Sequence, residues 1–329
     1  MERRGTRRAV RWPVAVLAVL AALAAGLTLA AGLTLAARGP ARHPAAPAAS
    51  AAPAPASPDG PRPVDLAARV DAYTAAFAVG TYTAPDPAQR RALADAVLQA
   101  VDGRLGQADR TLAGVGYRLT EFTEAVSGRR TAEIADASGA DPRGWGRIYL
   151  DLSARTGWTV QVPHPVADLR TETLGAALLQ RAPGGVLVLA GAHRRAGTDG
   201  AADAAHRDDT VFAAVVGALT ERGLPGLQLH GFDEDSLPGT DAVVSAGAGA
   251  AGRDAERTAD GLGAAGLAVC RAWQEKCGRL EGTTNVEGRF AAGLGVTWLH
   301  VELAAPQRTD PARRAALAEA LAATVGPWR

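Results

Sequence analysis

From residue 158 onward the chain changes rhythm. Short apolar runs at 159–162, 186–190, 227–230, 242–245 and 296–303 alternate with segments at 172–181, 209–222, 255–264 and 311–325 whose apolar positions recur at helical spacing. No other feature limits the fold as strongly. Strands separated by helices are joined by crossovers, which run neighbouring strands in the same direction. The expected fold class is therefore α/β, a three-layer sandwich with a mostly parallel mixed sheet. In such sheets ligands gather beyond the carboxyl ends of the strands, so the residues that follow each run are the first place to look for chemistry.

The remaining sequence divides by composition. Residues 1–12 form a basic tail carrying Arg3, Arg4, Arg7, Arg8 and Arg11, and residues 13–37 contain an uncharged apolar run from Val14 to Ala37. At ~1.5 Å per residue that run reaches about 36 Å, enough to cross a hydrocarbon core of ~30 Å. It is expected to be a transmembrane signal anchor, with the arginines on the cytoplasmic side and everything that follows outside the cytoplasm. Cleavage near Ala37 or in the following Ala/Pro stretch, giving a secreted chain, is the alternative. Residues 38–63 are Ala/Pro/Ser-rich and read as a linker. Residues 64–144 read as a small extension, with two amphipathic helices over 64–103 and a hairpin over 117–134 that turns at Ser127-Gly128. Residues 145–329 form the α/β domain, with a first strand at 145–152. Cys270 and Cys277 are the only cysteines, and an exported location favours a bridge between them. An unbroken helix would hold their Cα atoms ~10.5 Å apart, beyond the ~7 Å limit, so a bridge requires the helix to break. A net charge of +1 gives no reason to expect nucleic acid as a partner.

Candidate chemistry sits at the strand ends. His164 follows the run at 159–162, between two prolines, with Asp168 four residues on and Glu172 as the other available carboxylate. His230 ends a separate strand. Catalytic zinc takes three nitrogen or oxygen ligands and leaves a position for water, and His164, Asp168 and His230 would supply that set. Alternation along 296–303 puts Trp298, His300 and Glu302 on one face. A carboxylate in so apolar a strand needs a partner, and water on a metal would be one. Glu302 would then act as general base and later as general acid; a pair with Arg308 is the structural alternative. His206, at the end of a Gly/Ala/Asp-rich loop over 191–207, is a candidate for binding a zinc ligand, for donating to a tetrahedral intermediate, or for replacing Asp168 as ligand. Arg194, Arg207, Arg289 and Arg308 lie in loops or near strand ends and suit a substrate carboxylate. Asn285, beside Arg289, is a candidate for orienting that carboxylate or an oxyanion.

The series His164…Asp168…Glu172, Leu229-His230-Gly231, Asn285-Val286-Glu287-Gly288-Arg289 and Val301-Glu302-Leu303…Arg308 resembles phage-type poly-γ-glutamate hydrolases. These are zinc amidohydrolases with a carboxypeptidase A-like fold. The resemblance spans roughly residues 145–308. It implies zinc as cofactor, Glu302 in the catalytic glutamate-leucine step, and Asn285 and Arg289 as an element before the final strand. Two departures stand out. Three residues separate His164 from Asp168 where carboxypeptidases have two between histidine and glutamate, and Pro165-Val166-Ala167 replaces a glycine-rich loop. Together with the expected location, the resemblance points to a γ-glutamyl or cell-wall peptide substrate. A non-catalytic ligand-binding module and a metal-dependent phosphoesterase are the competing readings.

Overall fold

A computed structural model describes residues 62–77 and 81–328. The expected anchor and most of the linker lie outside the described residues, and no helix among those described is long and apolar enough to cross a membrane. The chain opens with helices α1 (Leu66–Ala75), α2 (Pro87–Val101) and α3 (Leu105–Ala113), followed by strands β1 (Tyr117–Thr123), β2 (Arg130–Asp136), β3 (Arg147–Asp151) and β4 (Trp158–Val162). Helices and strands then alternate: α4 (Thr171–Arg181), β5 (Gly185–Leu189), α5 (Val211–Glu221), β6 (Gly226–Phe232), β7 (Ala242–Ser245), α6 (Arg253–Ala264), β8 (Val269–Arg271), α7 (Val286–Leu294) and β9 (Trp298–Ala304). The short α8 (Ala305–Thr309) and the long α9 (Pro311–Val325) close the fold.

All nine strands lie in one sheet, in the order β1-β2-β3-β5-β4-β6-β9-β7-β8. The fold is mixed α/β, as the alternation requires, but the sheet is less parallel than expected. Four pairings are parallel (β4 with β5, β4 with β6, β6 with β9, β7 with β8) and four are antiparallel. The antiparallel share comes chiefly from the hairpin at 117–136, which the sequence assigns to an extension. It joins the main sheet through β2 and β3 (Ile134 opposite Ile148), and the described residues fall in a single compact unit.

Each face of the sheet has its own core. One packs Trp158, Val160, Leu187, Leu229, Val301 and Leu303 against α1, α4, α6 and α9. The other packs Ile134, Ile148, Val186 and Val188 against α2, α3 and α5. In the middle of this second face the pattern turns polar: Gln161 stands in register with Gln228, Gln228 with His300, and His230 with Glu302. Six residues lie between Cys270 and Cys277, yet the two form a disulfide with Cα atoms 6.0 Å apart, because β8 ends at Arg271 and no helix follows before Cys277.

Candidate metal centre

The loop from β4 to α4 is held in an unusual shape. Val166 and Arg170 both have positive φ, 68° and 69°. For a β-branched residue such as Val166 that conformation is strained and must be imposed by its surroundings. Arg308 braces the same loop. Its buried guanidinium donates to the carbonyls of Asp168 and Leu169 in this loop, and to those of Leu303 (2.8 Å) and Phe232 (3.1 Å). Gly231 makes room: a Cβ there would lie 2.2 Å from Arg308 Cζ. Glu172 also serves the loop, with Oε2 accepting from the Val166 N–H at 3.4 Å.

The loop brings His164 and Asp168 against His230, and all three are buried. Asp168 Oδ2 lies 3.3 Å from His164 Nδ1 and 3.1 Å from His230 Nδ1. One ligand atom from each residue falls within a 4.8 Å cluster. Tetrahedral zinc with bonds of ~2.0–2.1 Å separates its ligands by roughly 3.3 Å, so these spacings already match. The outer nitrogens are engaged as metal-ligating histidines require. His164 Nε2 faces Asp203 Oδ1 at 2.7 Å, and His230 Nε2 faces Gln228 Oε1 at 2.8 Å.

Burial alone would raise the Asp168 carboxyl, but the two imidazoles outweigh it and hold it far below the usual range. Burial lowers His230 to about 4. His164 moves the other way: burial would lower it, but Asp168 and Asp203 outweigh that and raise it. Alongside, burial and then Asp168 push Glu302 well above the ordinary carboxylate range. Glu302 Oε2 and His300 Nδ1 are buried without a hydrogen-bond partner. Orphaned buried polar atoms are rare because each costs roughly 1–3 kcal/mol. Their presence beside two imidazoles and a carboxylate fits a site built around a cation, and this donor set suits zinc.

These residues line a cavity of about 880 Å³ together with His193, Arg194, Arg195, His206, Arg279 and the segment 280–285. Asn285 belongs to this wall, but its Nδ2 turns inward and donates to Gln228 Oε1 at 2.6 Å. His206 sits at the half-exposed rim, with Nδ1 3.2 Å from Asp203 Oδ1. Arg207 pairs with Asp209 and Arg289 donates to the Thr283 carbonyl; neither lines this cavity. Arg308 borders it with most of its donors committed to backbone, and no salt bridge joins it to Glu302 among the described residues.

Three participants have no assigned role in the sequence reading. His300 lies 3.8 Å from Glu302 through Nε2, and its ring is 4.6 Å from that of His230. Gln228 carried the same signal as Glu302, a polar side chain in an apolar strand. Asp203 carried none, since it lies 39 residues from His164 in a loop of small residues. Two further clusters also have metal-ligand spacing: His230, His300 and Glu302, which overlaps the first, and His164, Asp203 and His206. The Arg194 guanidinium already donates to Asp203 Oδ2 at 2.8 Å, which supplies the positive charge there.

No protein-family model and no curated protein matches the chain. Among solved structures it is similar to a bacteriophage poly-γ-glutamate hydrolase, at 15% identity over 59% of this chain and 94% of the other, with a TM-score of 0.39. It is also similar to the zinc-free form of YndL, at 14% identity over 52% and 84%, with a TM-score of 0.36. A third likeness is to the Legionella pneumophila aminopeptidase LapA, at 10% identity over 80% and 70%, with a TM-score of 0.36. At these identities and scores the likeness is a distant one of fold and carries no inference about activity.

Proposed function

We propose that this chain is a zinc-dependent hydrolase that cleaves an amide bond in an acidic substrate. The observation that carries the reading is the meeting of two buried imidazole Nδ1 atoms on one carboxylate oxygen, beside a buried glutamate oxygen with no partner. His164, Asp168 and His230 would hold the ion. Zinc held there would polarise a substrate carbonyl and make water acidic enough to deprotonate near neutral pH.

The chain supplies the remaining chemistry. Glu302 takes the proton of the attacking water at its unpartnered oxygen and returns it to the leaving amine. Its raised proton affinity suits that exchange. Asp203 orients His164, and Asn285 and Gln228 support the ring of His230. The cavity has the volume of a small-ligand site, in the range of about 300–1,000 Å³. Arg195 and Arg279 on its wall favour a substrate that carries carboxylates. A γ-glutamyl or cell-wall peptide has that chemistry. The apolar N-terminal run, together with the disulfide, supports a site outside the cytoplasm.

A purely binding role leaves the buried, unpartnered Glu302 without a purpose. A two-metal phosphoesterase would hold a second cation at His230, His300 and Glu302, which also have metal-ligand spacing, and would carry two ions per chain. Metal analysis of the purified full chain is expected to find about one zinc per chain. Glu302→Gln is expected to keep the zinc and lose roughly 10²–10⁴-fold in turnover of γ-glutamyl peptides. Wild-type protein without zinc, or a variant with undiminished turnover, would refute the proposal.

A further inference from the structure

One wall of the cavity is irregular chain that is nonetheless tied down along its length. Residues 278–285 line the cavity, and neither helix nor strand lies between Arg271 at the end of β8 and Val286 at the start of α7. A segment without a backbone ladder needs other anchors to stay in place. The first is the disulfide. Cys270 of β8 and Cys277 are buried with Val243 of β7, and Leu280 of the wall packs on the same cluster. The Cys277 N–H donates to Glu281 Oε1 at 2.9 Å, and the Glu281 carbonyl accepts from Ser245 Oγ at 2.7 Å. Gly282 then lies against the imidazole of His300, where a Cβ would come within 2.5 Å of Cδ2. The Val286 N–H closes the segment on the Ala205 carbonyl at 2.9 Å.

The arginines of this cavity fall into two kinds. Arg194 donates to Asp203, and Arg308 donates to backbone carbonyls. Arg195 and Arg279 are exposed, and their guanidinium groups have no hydrogen-bond or ion-pair partner among the described residues. None of the acids lining the cavity pairs with them. Asp168 and Glu302 are buried beside the imidazoles, Glu281 is turned to the Cys277 N–H, and Asp233 follows the Phe232 carbonyl that Arg308 holds. Arg279 differs from Arg195 in its mounting. Its backbone lies between Cys277 of the disulfide and Glu281, which Ser245 holds. Immobilising a long side chain on binding costs ~0.5–1.5 kcal/mol, and a backbone that drifts adds to that cost. A backbone already fixed leaves only the side chain to order.

We propose that Arg279 is a specificity-determining residue that receives a substrate carboxylate away from the scissile amide, and that the Cys270–Cys277 disulfide is the clamp that holds it in place for that contact. The assignment rests on the proposed reading of this cavity as the substrate site of a hydrolase. It makes selectivity for acidic substrates depend on the bridge, while metal binding does not.

The test compares two peptides by titration calorimetry on the zinc-loaded full chain carrying Glu302→Gln, so that no turnover intervenes. One is a γ-linked tri-glutamate; the other is the same peptide with each free carboxylate converted to an amide. Arg279→Gln is expected to weaken the acidic peptide about 10-fold, the lower end for a hydrogen bond to a charged group, and to leave the amide peptide unchanged. Cys270→Ser/Cys277→Ser is expected to weaken the acidic peptide about 3–10-fold with the zinc content unaltered. In an Arg279→Gln background the two serines should cost nothing further, which separates a clamp acting through Arg279 from a general loosening of the fold. If the serine variant does not fold, Glu281→Ala releases the Cys277 N–H with the bridge intact and is expected to show the same pattern. Undiminished binding of the acidic peptide in Arg279→Gln, or equal losses for both peptides, would overturn the role of Arg279. A loss from the serines that persists without Arg279 would overturn the clamp. A wild-type chain that takes up zinc but turns over no γ-glutamyl peptide would instead defeat the hydrolase reading, and the calorimetry would still decide what Arg279 binds.

Discussion

Arg308 is the residue whose part changed most between sequence and structure. Its place after the last strand made it a candidate for substrate carboxylate, yet its guanidinium spans four backbone carbonyls from three segments. A side chain so committed holds the Asp168 loop rather than a ligand. Gly231 is small for the same reason. Gly231→Ala would drive a methyl into a buried group that cannot retreat, and overpacking of this kind costs typically 1–3 kcal/mol. Urea unfolding is expected to show a loss of that size with an unchanged m-value; an unaltered midpoint would mean the close approach is absent. Residue identity announced histidines and acids as chemistry-bearing groups. It could not tell a guanidinium that grips backbone from one that waits for substrate, because both need only a loop and a charge.

Among the elements, the strands and helices after residue 158 were the most legible. The runs at 242–245 and 311–325 coincide with β7 and α9, and the other boundaries move by a few residues. β8 was missed because it is three residues long, too short to show a period. α7 was missed because glycine interrupts a brief helix whose buried face is small. The hairpin was legible as a hairpin but not as part of the main sheet. Its attachment depends on Glu133 of β2, which receives Arg69 from α1, Arg147 from β3 and the Tyr149 hydroxyl. Burial alone would raise the Glu133 carboxyl, but Arg69 and Arg147 outweigh it and lower it below its ordinary 4.5. A depressed carboxylate stabilises the fold above its unfolded pKa, and that contribution is lost as pH falls through the folded value. Glu133→Gln is therefore expected to lower the melting temperature at pH 7 and to flatten its decline below about pH 4.5. Parallel wild-type and variant curves down to pH 3 would exclude the linkage.

At the scale of the whole molecule, the sheet carries a core on each face and interrupts one of them with polar groups that meet at the strand ends. Concentrating buried imidazoles and carboxylates in one place costs stability, and a bound cation would recover much of it. A ligand that binds only the folded state at 100 times its dissociation constant adds about 2.7 kcal/mol. In a domain of this size that corresponds to a rise of roughly 5–10 °C in melting temperature. Chelator-treated protein is expected to melt lower by about this amount and to recover with added zinc in a concentration-dependent way. A melting temperature indifferent to zinc would argue against a metal held by folded structure.

The sequence by itself determined the class of fold and the donors available for chemistry. Hydrophobic period depends only on near neighbours in the chain, and residue type fixes what a side chain can donate, accept or ligate. The tertiary structure alone decided the partners. Asp203 reaches His164 across 39 residues, and Gln228 meets Glu287 across 59. Contacts at that separation are set by how strands order themselves in a sheet, a property of the whole chain that leaves no periodic trace in any local stretch of it.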